Sequence, residues 1–104
     1  MLQGAIISSV NVAEVISKLF ERGMESDMAR SLVTDTGIEV ISFDLEQAQQ
    51  AGALRGETRL RGLSLGDRAC LALASWSGGR AVTADQAWTS VSDLGIKVML
   101  FREN

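Results

Sequence analysis

Residues 63–74 read LSLGDRACLALA, and the fold turns on how this stretch is read. From Leu65 to Gly78-Gly79 the chain is apolar on nearly every side of a helical period. That is too long a run for a strand, and it reads as a helix buried between other layers. Ser64 with Asp67 three residues later has the form of a capping box, which explains where the helix starts. Asp67 and Arg68 put two opposite charges at the mouth of this core segment, and packing alone gives no reason for them.

Outward from this helix, strand and helix patterns alternate. GAIISSV (4–10) is short, apolar and β-branched, and Asn11 follows it as a candidate cap for a helix with Val12, Val15, Ile16, Leu19 and Phe20 on one face, ended at Gly23. A second helix from about residue 25 carries Met24, Met28, Leu32 and Val33 and stops before Gly37. IEVISF (38–43) reads as a strand. Asp44 with Gln47 forms a capping box for a third helix through about Leu54, and the polar RGETRLRG (55–62) reads as loop or short irregular helix. Beyond the central helix, RAVTA (80–84) is a short strand, and Asp85 opens a helix with Trp88 and Val91 inward. Gly95 ends that helix, and IKVMLF (96–101) is a last strand. This order predicts an α/β fold with a mostly parallel central sheet flanked by helices, whose functional groups collect beyond the carboxyl ends of the strands. Met24, Met28, Trp76 and Trp88 read as packing residues.

Composition narrows the chemistry. At 104 residues and 46% hydrophobic content the chain suffices for one domain, residues 1–104, with a modest core. It has no His and one Cys, which excludes His-based nucleophile systems and a closed zinc site. Carboxylates suit magnesium or manganese instead. No run reaches the roughly 18–20 apolar residues of a membrane helix, and the N-terminus lacks a signal-peptide pattern, so a cytoplasmic protein is expected. The net charge of −3 gives no global attraction to nucleic acid. Arg55, Arg59, Arg61 and Arg68 nevertheless fall close together, as a local basic strip or a solvated surface.

Three acids stand at helix starts: Glu14 after the first strand, Asp67 at the central helix, and Asp85 after the strand at 80–84. Each alone fits a helix cap, since acids near helix N-termini gain about 0.3–1 kcal/mol. Together, on one edge of a parallel sheet, three carboxylates would repel one another unless a cation sat between them, so a divalent-metal site is expected.

The segments ISSVNVAEVISKLFERGM (7–24), LSLGDRACLALA (63–74), AVTADQAW (81–88) and GIKVMLF (95–101), in this order, resemble a PIN domain, specifically a VapC-type toxin of a bacterial toxin–antitoxin pair. The resemblance implies a three-layer PIN-like fold and RNA hydrolysis with Mg2+ or Mn2+. Glu14, Asp67 and Asp85 would be the metal-binding and catalytic acids, with Asn11, Ser64 and Thr83 as accompanying polar residues. It also implies an antitoxin partner, and Arg55, Arg59, Arg61 or Arg68 could steer the RNA. Family members usually begin with an apolar strand ending in Asp, which does not precede residue 4 here. The reading is therefore of an N-terminally truncated fold lacking one ligand. Its strands at 4–10 and 80–84 either pair directly or are covered in a homodimer, the latter slightly favoured. The alternative function is a catalytically impaired toxin that acts as an interaction or dimerisation module.

Overall fold

The computed structural model describes residues 4–58, 62–78 and 80–89 of the chain. Strand β1 (Ile6–Ser8) is buried throughout and leads without a loop into helix α1 (Ser9–Glu21). The switch comes earlier than the sequence suggests. Ser8 is the N-cap, its Oγ accepting from Val10 N at 3.2 Å, so Asn11 lies inside the helix and is not its cap. Helix α2 (Ser26–Asp35) follows, and Gly37, at φ +81°, turns the chain into strand β2 (Glu39–Ile41).

β1 and β2 pair in parallel, with Ile6 opposite Glu39, Ile7 opposite Val40 and Ser8 opposite Ile41. On the other side of β1, Ile6 N donates to Arg80 O at 3.2 Å and Val82 N donates to Ile6 O at 2.9 Å. These bonds make a single parallel bridge between Ile6 and Ala81, so the expected strand at 80–84 is one bridge long. Within the chain the two segments thus pair directly, through this one bridge. The helix end around Val91 and Gly95 and the strand at 96–101 lie outside the described residues.

Helix α3 (Leu45–Thr58) runs past Leu54 into the stretch read as loop or short irregular helix. Its capping box is half made: Asp44 Oδ1 accepts from Gln47 N at 2.9 Å, while Gln47 Nε2 donates to Ser42 O at 3.0 Å. Helix α4 (Leu65–Ser77) is the segment quoted above, and its capping box is complete. Ser64 Oγ accepts from Asp67 N and Asp67 Oδ2 accepts from Ser64 N, both at 3.1 Å. Gly78 ends α4 in the left-handed region at φ +76°. A fifth helix, α5, is described over 84–89 and starts on a second full box. Thr83 Oγ1 accepts from Gln86 N at 3.1 Å, and Gln86 Oε1 accepts from Thr83 N at 2.8 Å. Thr83, not Asp85, therefore caps α5.

The core gathers Ile7, Val15, Leu19, Ala29, Leu32, Val33, Ile38, Ala84 and Ala87, with Met24 and Trp88 partly buried against it. Helix α4 packs on α3, α1 and β1 through Ala69, Cys70, Ala72 and Leu73. It is not enclosed on every side: Leu65, Leu71 and Trp76 are exposed, and Trp76 is no packing anchor. Phe20, expected on the inward face of α1, is exposed as well. The inward stripe of α1 is narrower, centred on Asn11, Val15 and Leu19 at four-residue spacing.

Candidate active site at the first turn of helix α4

Asn11 is the hinge of the site. Its side chain is buried between α1 and α4, and its Nδ2 donates twice, to Glu14 Oε1 at 2.9 Å and to Gly66 O at 3.0 Å. The first bond orients the Glu14 carboxylate, and the second ties α1 to the first turn of α4. Asn11 Oδ1 is also buried and has no hydrogen-bond partner among the described residues. An amide held this way, with one oxygen unpaid for, costs about 1–3 kcal/mol.

Glu14 is half-buried and lies over Gly66. A Cβ at residue 66 would collide with Glu14 Oε1 and come within 2.7 Å of its Cδ and 2.8 Å of its Oε2. Glycine therefore leaves the room that the carboxylate fills. Gly66 is the second residue of α4, so Glu14 sits at the partly positive end of that helix, where an anion is stabilised. Asp67 follows immediately, exposed, with its carboxylate turned back onto the Ser64 amide. Both acids bear on Cys70 one turn further in. Burial first, then the negative charges of Asp67 and Glu14, push the Cys70 thiol above its ordinary value.

Asp85 does not join them. Its side chain is 91% exposed and pairs with Lys18 Nζ at 3.4 Å, a contact of the surface type worth at most about 1 kcal/mol. Lys18 Nζ also lies 5.6 Å from the centre of the Trp88 ring, and the Arg22 guanidinium carbon lies 4.9 Å from it. Of the arginines singled out in the sequence, Arg55 is exposed near the end of α3, and Arg59 and Arg61 lie outside the described residues. Arg68 is turned inward: it is buried, its Nη1 donates to Ala51 O of α3 at 2.9 Å, and its Nε is buried without a partner among the described residues. It joins α3 to α4 and presents no guanidinium at the surface.

The sequence profile of the PIN domain matches residues 2–94. The chain belongs to the PIN-domain family. No curated protein and no solved structure matches it. PIN domains are nucleases as a class and generally depend on divalent metal. Tested against that chemistry, this PIN domain has the right donor type, hard carboxylate oxygens, in Glu14 and Asp67. The arrangement does not close around a cation. Glu14 is taken up by Asn11, Asp67 by its own cap and Asp85 by Lys18. Among the described residues no three metal-ligating side chains converge.

Three features of this region escape a sequence reading: the clamp made by Asn11, the space left by Gly66, and the cations on α1. The last has a sequence signal, since Glu14, Lys18 and Arg22 recur every four residues and so stand on one row of the helix. The first two have none, because residues 11 and 66 are brought together only by the packing of α1 on α4.

Proposed function

We propose that this PIN domain is an RNA-directed nuclease, the toxin component of a toxin–antitoxin pair, with Glu14 and Asp67 as its acidic centre. The observation that carries this reading is the Glu14 carboxylate fitted over Gly66 at the start of α4, beside Asp67. A protein that needed only helix caps would spend Ser64 and Asp67 there. It would have no use for a second carboxylate delivered from α1, oriented by a buried amide and accommodated by a glycine.

In phosphodiester hydrolysis a water attacks phosphorus and the leaving sugar oxygen must take up a proton. Glu14 Oε1 is held by Asn11, while Oε2 has no hydrogen bond among the described residues and is the oxygen available to accept a proton from water. Asp67 adds negative charge at the same helix end, and α4 offsets part of it through its backbone N–H groups. Cleavage would leave a 5′-phosphate and a 3′-hydroxyl, as the resemblance to VapC-type toxins implies.

A second reading is favoured by the pairing of Asp85 with Lys18: a domain that keeps the fold and the acidic pair but works as an interaction module without hydrolysis. One experiment separates the two. Thermal unfolding of the chain is followed with and without millimolar Mn2+, beside Asp67→Asn and Glu14→Gln, together with a cleavage screen on RNA. Saturating a native-state site a hundredfold above its dissociation constant adds about 2.7 kcal/mol, or about ten degrees or more in midpoint for a domain of this size. The nuclease reading expects Glu14 and Asp67 to leave their present partners for Mn2+, giving that shift and Mn2+-dependent cleavage, both lost in the variants. Cooperative unfolding with no shift and no cleavage would leave the interaction module.

A further inference from the structure

We infer that Lys18, Arg22 and Trp88 form a binding strip for single-stranded RNA that leads away from the Glu14–Asp67 pair, an inference that rests on the RNA reading above. Three features point to it.

First, Glu14, Lys18 and Arg22 follow one row of α1 and its C-terminal cap, so the cations stand about 6 and 12 Å along the helix axis from the carboxylate. A stacked strand rises about 3.4 Å per nucleotide, so a strand lying along this row from Glu14 would meet positive charge within a few nucleotides. Second, both cationic heads are gathered at the same indole ring, 5.6 and 4.9 Å from its centre, within the roughly 6 Å range of cation–π attraction. Trp88 is itself packed partly against the core, so it anchors the two long side chains and reduces the entropy lost when they bind. Third, Arg22 has no carboxylate partner among the described residues, and the one partner of Lys18, Asp85, is 91% exposed and loosely held.

An acidic peptide could satisfy the two charges. The planar Arg22 guanidinium favours nucleic acid, because a guanidinium plane stacks on bases and an acidic peptide has none to offer it. Of the arginines expected from the sequence Arg68 is buried, whereas Lys18 on α1 and Arg22 at its C-terminal cap continue the row that carries Glu14.

The test is binding of a fluorescent single-stranded RNA oligonucleotide, followed by anisotropy in EDTA so that metal-dependent cleavage plays no part. Wild type, Lys18→Gln, Arg22→Gln and Arg30→Gln are titrated across a salt series, the last being an equal loss of charge on exposed α2. Each phosphate contact on a single strand contributes about 0.7 to the slope of log affinity against log salt. The expected result is a slope reduced by about that amount in Lys18→Gln and in Arg22→Gln, with Arg30→Gln like wild type. Asp85→Asn, which releases Lys18, should tighten binding. If wild type binds RNA and the α1 variants bind it equally well, or if Arg30→Gln weakens it as much, the strip is refuted while the RNA reading stands. Displacement of the RNA by polyglutamate at comparable concentration of charge would make this a peptide surface instead. Absence of RNA binding by wild type would overturn both readings.

Discussion

Gly66 carries more of the site than either acid beside it. Glycine near a helix start is ordinarily a weakness, since alanine there would favour the helix by up to about 1 kcal/mol. Here the missing Cβ is the space in which the Glu14 carboxylate rests. The atoms an alanine would strike are the far end of a flexible side chain, which can swing away. Gly66→Ala is therefore expected to leave the thermal midpoint nearly unchanged while displacing Glu14 from Asn11. Calorimetry beside an activity or Mn2+ titration checks this: unchanged stability with lost function is the expected pair. A large loss of stability would mean that Glu14 cannot move and that the contact is structural. Asn11 belongs to the same scale. Sequence spacing presents it as a helix cap, but Ser8 has already taken that role, and the freed amide bridges two helices.

Helices α4 and α5 start on boxes of paired side chains. The one at Ser64 was legible in the sequence because a cap is a local device, whereas the caps of α1 and α5 were read onto Asn11 and Asp85 and lie at Ser8 and Thr83. Ser64 with Asp67 satisfies two otherwise orphaned donors at the start of α4 without help from elsewhere in the fold. Ser64→Ala is expected to cost about 1 kcal/mol, or about 4–8 °C in midpoint for a domain of this size. Unfolding of the purified variant measures it. A loss well below one degree would show that α4 is held by its packing on α3, α1 and β1 alone. Asp67 thus has two duties at once, and a substitution that removes its charge also opens the cap. Glu14→Gln is the cleaner probe of the acidic pair for that reason. The amphipathic faces were legible only in part. Leu65, Leu71 and Trp76 are apolar in sequence and exposed in the fold, because the period of a helix says which residues share a side and not which sides find a neighbour.

At the scale of the molecule, two carboxylates from different helices and one buried thiol meet near the start of α4, and their charges make stability depend on pH. The Cys70 thiol is raised above its ordinary value, by burial first and then by Asp67 and Glu14. As pH climbs through the ordinary thiol range, the unfolded chain gives up its proton first, so the native state binds more protons than the unfolded one and stability falls with pH. The contribution is complete below the unfolded thiol value and is lost as pH rises from there towards the folded one. Thermal midpoints across pH 7 to about 10.5 should therefore fall more steeply for wild type than for Cys70→Ala, since an ordinary thiol titrates near 8.5. Glu14→Gln should lie between them, and parallel curves for all three would contradict the placement of the acids beside Cys70.

The alternation of short β-branched segments with helical periods, the cap at Ser64, the parallel α/β class and the PIN resemblance were all determined by the sequence itself. Each depends on neighbours a few residues apart or on the order of segments along the chain. Tertiary structure decided the rest. It set Asn11 against Gly66 across 55 residues, turned Arg68 into the α3–α4 interface, and drew Asp85 to Lys18. In each case a long side chain could reach more than one partner, and only the packing of helices on β1 determined which partner lay within hydrogen-bond distance.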